Sequence, residues 1–169
     1  MPIQDFNIYT QNGYAGDLVD SAPRVIQTGV LVPNAAGVAD AGFGVAMLRQ
    51  LTGTPVERGV ELGGSANVYA IAQREYNHEA STRPAKTGTG AWAYHEGESV
   101  SLIREGYLYV QLGGAAGIAA GDVLHVVTAT GEFTKDAVAA GTVACTNVVA
   151  EEAAIAGDVF KVRIDITTS

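Results

Sequence analysis

Near its C-terminal end the chain runs Asp158-Val159-Phe160-Lys161-Val162-Arg163-Ile164-Asp165-Ile166-Thr167, and the alternation is unbroken. Phe160, Val162, Ile164 and Ile166 fall on one side of a strand, and Lys161, Arg163, Asp165 and Thr167 on the other. A period of two cannot be buried on a helix, so this segment requires a sheet with one dry and one wet face. Shorter segments rich in β-branched residues predict further strands at 25–31, 43–51, 67–74, 99–104, 107–112, 122–129 and 142–149. The one helical candidate is 134–140, stopped by Gly141, and it makes about two turns at most. Many short strands with so little helix predict an all-β fold, a small β-barrel or a jelly-roll-like sandwich.

Turn chemistry divides these strands. Arg104-Glu105-Gly106-Tyr107 and Ala129-Thr130-Gly131-Glu132 read as tight hairpins. Ala120-Gly121-Asp122-Val123 and Ala156-Gly157-Asp158-Val159 echo each other and read as two turns of one kind. In each, glycine supplies a special dihedral, aspartate supplies a local hydrogen bond, and a strand follows. All five prolines lie at or before Pro84, so the first half of the chain is the loop-rich half. Residues 1–20 have no clean period and read as an N-terminal arm that orders on assembly. Residues 21–169 form a single β domain, interrupted at about 74–90 by a long polar loop of both charge signs. A loop of that length in a compact domain is a contact element.

Composition excludes several function classes. The 169 residues carry 10 Lys and Arg against 18 Asp and Glu, a net charge of −8, which argues against nucleic acid and against an anionic membrane surface as partners. The charge-free stretch 106–121 is shorter than the roughly 20 residues of a membrane helix and is glycine-rich. No signal-peptide pattern is expected, since Asp5 comes early and no apolar run follows the start. One cysteine, Cys145, excludes an intramolecular disulfide framework.

Catalytic and metal-binding patterns fall short, and neither catalysis nor a cofactor is expected. His78, His95 and His125 include no helical pair, and His95-Glu96-Gly97-Glu98-Ser99 has serine where a zinc motif needs its second histidine. Gly63-Gly64-Ser65-Ala66-Asn67 lacks the final glycine of a nucleophile elbow. Cys145 sits in an apolar strand as an inert thiol. Trp92, Tyr94, Tyr107 and Tyr109 lie on neighbouring strands; they read as a packed aromatic face or, alternatively, as a carbohydrate- or receptor-binding platform of a virion or cell-surface module.

The ordered set of segments resembles the capsid cement (decoration) proteins of tailed bacteriophages. The likeness is carried by residues 13–25, with Gly13-Tyr14-Ala15-Gly16-Asp17; by 68–76, the polar loop and 94–110; and by 120–126, 130–134 and 156–164. The resemblance implies a non-enzymatic β protein on the outer face of the virion capsid, made in the host bacterial cytoplasm. It implies binding to the phage major capsid protein, and a homo-oligomer with a trimer slightly favoured over a dimer. Within the polar loop, Arg74, Tyr76, Arg83 and Lys86 are the expected capsid contacts, because arginine and tyrosine are enriched at protein interfaces.

Overall fold

The computed structural model describes residues 14–19, 23–38, 40–51, 53–75, 93–136 and 141–165. The described residues hold eleven strands and no helix: β1 (Val25–Val32), β2 (Ala41–Gly42), β3 (Ala46–Arg49), β4 (Gly59–Leu62), β5 (Ala70–Ala72), β6 (Ala93–Tyr94), β7 (Ser99–Gly113), β8 (Val123–Val127), β9 (Phe133–Thr134), β10 (Thr142–Ala150) and β11 (Val159–Ile164). The protein is all-β, as the periodicity requires.

The strands close into two small barrels that share β7. One ring runs β1–β4–β3–β5–β7 and returns to β1; the other runs β7–β11–β10–β8–β9 and returns to β7. Closure gives each shared strand a partner on both sides, which removes the free edges that invite aggregation. Each barrel has its own core. Leu31, Met47, Val60, Leu62, Tyr94, Val100 and Leu102 fill the first. Leu108, Val110, Leu112, Leu124, Phe133, Val148, Phe160, Val162 and Ile164 fill the second. Thus Phe160, Val162 and Ile164 lie on the core face of β11, as their alternation predicts; Ile166 lies outside the described residues.

The hairpin expected at Arg104-Glu105-Gly106-Tyr107 does not form. The chain runs straight through it as the middle of β7. The ladder with β1 skips a residue there: Ile26 faces Ile103 and Val25 faces Glu105, leaving Arg104 as an inserted bulge residue. One extra residue turns every later side chain to the opposite face. Before the bulge, Ile103 points to the second core; after it, Leu108, Val110 and Leu112 do. Gly106 then takes φ +132°, which an L side chain rarely adopts, and a Cβ there would crowd Pro23 and Arg24. A glycine inside a strand pattern therefore marks the passage from one barrel to the next.

The expected helix at 134–140 does not start. Thr134 belongs to β9 and is buried, and Asp136 N–H donates to Thr134 Oγ1; residues 137–140 lie outside the described residues. The hairpin at Ala129–Glu132 does form, pairing Val126 with Phe133. Strand β4 was not expected. It is short and carries Glu61, which is only 5% exposed, so the residue that breaks the apolar pattern is inside the protein.

The Gly-Asp echo is one turn used four times. Tyr14–Asp17, His95–Glu98, Ala119–Asp122 and Ile155–Asp158 each carry glycine in third place with φ between +81° and +88°. In each, the fourth residue's N–H donates to the first residue's carbonyl, and the fourth residue's carboxylate accepts from the first residue's N–H. The glycine N–H then donates outward to the next strand, at Tyr109, Leu31, Ala150 and Leu112 respectively. The turn thus closes itself and docks in the same four residues.

The two barrels touch through glycine. A Cβ on Gly64 would enter Val126, and one on Gly131 would enter the Ala46 carbonyl. Ala46 N–H donates to Gly131 O at 2.8 Å, and Gly64 N–H to Thr128 O at 3.2 Å. The Gly63-Gly64-Ser65 run that looked like a broken nucleophile elbow is this joint, and Ser65 Oγ donates to Asn67 O to shape the turn that follows.

Candidate interaction surface

Of the expected contact residues, Arg74 is described; Tyr76, Arg83 and Lys86 lie outside the described residues. Arg74 follows β5 and faces inward. Its guanidinium lies 3.9 Å from the centroid of the Tyr14 ring, its Nη1 is 3.5 Å from Asp17 Oδ2, and its side chain is 14% exposed. Its backbone N–H donates to Gly16 O at 2.9 Å. Gly16 and Gly44 meet here with no room for a Cβ on either.

This cluster seats the start of the described chain on β7. Gly16 N–H donates to Tyr109 O, Tyr109 N–H to Asp17 O, and Val19 N–H to Tyr107 O, at 2.7, 2.9 and 3.2 Å. Leu18 bridges to Leu108 and packs against the second core. The edge of β7 opposite β11 is covered by this segment. Tyr14, the first residue of its described segment, and Arg74, one residue before the end of its own, thus meet side by side. Tyr14 is 58% exposed there.

Tyr94 takes no part in an aromatic platform. Tyr94 is fully buried in the first core, its hydroxyl donates to Gln73 O at 2.6 Å, and Phe43 packs edge-on at 5.4 Å. It offers no face to a ligand. Tyr107 and Tyr109 are half-buried on the outer face of β7, and Trp92 lies outside the described residues. His95 Nδ1 is 2.9 Å from Asp40 Oδ1, both side chains largely covered, so this histidine fastens a loop. His125 is half-buried on the outer face of β8, with Nδ1 covered.

Cys145 is 4% exposed in the second core, and burial pushes its thiol up to about 12. Burial, with Glu75 nearby, also raises the Tyr94 phenol. Both groups keep their protons in the folded state and lose them more readily when unfolded. Stability is therefore full below about pH 9, the ordinary value for the thiol, and falls as pH rises toward the folded value. Above pH 9 Cys145 alone contributes a slope of at most about 1.4 kcal/mol per pH unit. Urea midpoints measured from pH 7 to 10.5 are expected to be flat and then to drop, and Tyr94→Phe should make the drop shallower. A thiol reagent at pH 8 should react only as fast as the protein unfolds. A midpoint unchanged to pH 10.5 contradicts this.

Comparison with known proteins bears on the family and on the fold. The family model described as "Structural cement protein (E217 gp24/Pam3 gp6)" matches residues 1–165. Among curated proteins none matches. A solved chain from "The capsid of Myoviridae Phage XM1" superposes with a TM-score of 0.64 at 17% identity, covering 95% of this chain and 98% of that one. At that identity the likeness is one of fold.

Proposed function

Since the chain belongs to the phage structural cement protein family and is thus a capsid-associated structural component of a virion, we propose that it coats the outer face of the capsid, binds the major capsid protein there, and reinforces contacts between its subunits without catalysis. The observation that carries this reading is the Tyr14–Arg74 contact, which brings together the residues adjoining the proposed arm and the proposed contact loop. An arm and a loop that begin side by side can each reach a different neighbour. Contacts that bridge subunits gain from effective concentration, so modest interfaces repeated over a lattice add up. Tyr76, Arg83 and Lys86 are the proposed contacts within the loop. Arg74, by its inward geometry, serves by holding the Tyr14 contact together. We take the assembly unit to be a homo-oligomer, a trimer slightly before a dimer, made in the host bacterial cytoplasm.

The test separates domain from arm. Deletion of residues 2–13 leaves the Gly16, Asp17, Val19 and Leu18 pairing with β7 intact. The truncated protein is expected to melt as the full chain does while its occupancy on capsids falls severalfold. Decorated capsids are expected to rupture at a higher temperature than bare ones. Full occupancy by the truncated form refutes the role of the arm, and equal rupture temperatures refute reinforcement.

A further inference from the structure

The open mouth of the first barrel gathers positive charge on an acidic protein. Arg49 lies two residues beyond Met47 on β3, Arg104 two beyond Leu102 on β7, and Arg58 two before Val60 on β4. Met47 and Leu102 point into the first core, so by strand alternation Arg49 and Arg104 continue the inward-facing rows out to the rim, and Arg58, just before β4, lines the same cavity as Arg49. Arg104 Cζ lies 4.5 Å and Arg49 Cζ 5.4 Å from the centroid of the same ring, Tyr69. The Tyr69 hydroxyl donates to Gln27 Oε1 at 3.0 Å, which fixes the ring. None of the three arginines has an ion-pair partner among the described residues.

Two features of this mouth are costly. Arg104 Nε is buried without a hydrogen-bond partner among the described residues, at the bulge of β7. Arg58 holds φ +57°, a left-handed conformation that a non-glycine residue adopts only under constraint. Arg49 and Arg58 line a cavity of about 110 Å³ with Gln27, Gly29, Tyr69 and Leu102, and Arg104 stands over the Tyr69 ring in its wall. That cavity shares Arg49, Arg58 and Gly59 with a wider one of about 300 Å³ under the β3–β4 loop, where Leu51, Pro55 and Val56 add apolar wall. Gln50 braces this loop through Thr54 O and Val56 N–H, each at 2.7 Å, so the wall is preformed.

We propose that this mouth is an oxyanion site that receives the carboxylate of an aspartate or glutamate side chain presented by the capsid surface, a role that rests on the cement reading above. Planar guanidinium groups match a carboxylate through paired N–H donors. The apolar wall beside them fits a carboxylate carried on a hydrocarbon stem, which a bare phosphate does not have.

The solution test needs no capsid. Glutarate, inorganic phosphate and sodium chloride are titrated at matched ionic strength while the arginine Nε–H resonances are followed by NMR. Glutarate is expected to shift Arg104 and Arg49 saturably, phosphate to bind severalfold more weakly, and chloride to give no saturable shift. Arg49→Gln and Arg58→Gly are each expected to weaken glutarate at least tenfold, while Arg58→Gly, which releases the left-handed strain, melts no lower than the parent. Absence of a saturable shift at Arg104, or unchanged affinity in both variants, overturns the site; phosphate binding as tight as glutarate overturns its assignment to a carboxylate. On capsids, the Arg49→Gln/Arg58→Gly pair is expected to lose at least tenfold in affinity. Unchanged affinity there, with the solution result intact, overturns the capsid role of the site alone. Failure of the parent protein to bind capsids would instead overturn the cement reading.

Discussion

Ile164→Asp is expected to leave the protein largely unfolded at neutral pH, while Lys161→Asp, three residues away on the same strand, leaves it folded. Ile164 is fully buried in the second core, paired across to Val148 on β10 and Gly106 on β7. The substitution removes the burial of a branched apolar side chain and places a carboxylate where no donor stands ready. Loss of a large core side chain costs about 2–5 kcal/mol, and an unpaired buried carboxylate adds more unless it takes up a proton. The total, about 5 kcal/mol or above, is comparable to the whole stability of a typical domain. Lys161 is half-exposed on the outer face of β11, beside Glu152, whose Oε1 accepts the Lys161 N–H. An aspartate there meets like charge in water and costs about 1 kcal/mol or less. Ile164→Val, a lost methylene, should cost about 1 kcal/mol. Urea denaturation of the three variants checks the order; equal midpoints for Ile164→Asp and Lys161→Asp would sink the assignment of the two faces.

Asn147→Ala is expected to cost about 2–4 kcal/mol although it removes almost no apolar surface. The side chain is 5% exposed and works as a piece of backbone. Val68 N–H donates to Asn147 Oδ1 at 2.9 Å, and Asn147 Nδ2 donates to Val68 O at 2.8 Å and to Asp165 O at 3.1 Å. Val68 is 1% exposed, so the alanine variant leaves its N–H and C=O buried and unpaired, at about 1–3 kcal/mol for each group. The register shift in β10 between Ala144 and Val149 turns this side chain inward. The bond also fastens the segment leading into β5 of the first barrel to β10 of the second. Amide exchange at Val68 should therefore accelerate along with the fall in urea midpoint. A loss under 0.5 kcal/mol would mean that water replaces the amide, and that the two barrels hold together without it.

What local chemistry specifies was readable in the chain. The C-terminal strand follows from alternation because a period of two has one solution, and Phe160, Val162 and Ile164 lie where it puts them. The Gly-Asp turns are readable because the two hydrogen bonds that close each of them lie within four residues; the pair at Ala119–Asp122 and Ile155–Asp158 shows in the sequence, and Tyr14–Asp17 and His95–Glu98 carry the same pattern of a glycine followed by a carboxylate. The family was readable from the order of segments, though no single motif carries it.

The rest depended on contacts between residues far apart. Arg104-Glu105-Gly106 has the residues of a turn, and whether it turns or bulges is decided by β1 and β11, which pair along β7 and hold it extended. Gly63-Gly64 means nothing alone; its need for glycine comes from Val126, brought there by closure of the second ring. Arg74 has the chemistry of an interface residue, yet Tyr14 and Asp17 hold it, because residues 14–19 lie along β7. The sequence by itself determined which faces must be dry, that the Gly-Asp turns close, and that strands rather than helices build the described fold. That one long strand serves two barrels was decided only in the tertiary structure, because closing a sheet is a condition on all its strands at once, and no local window contains it.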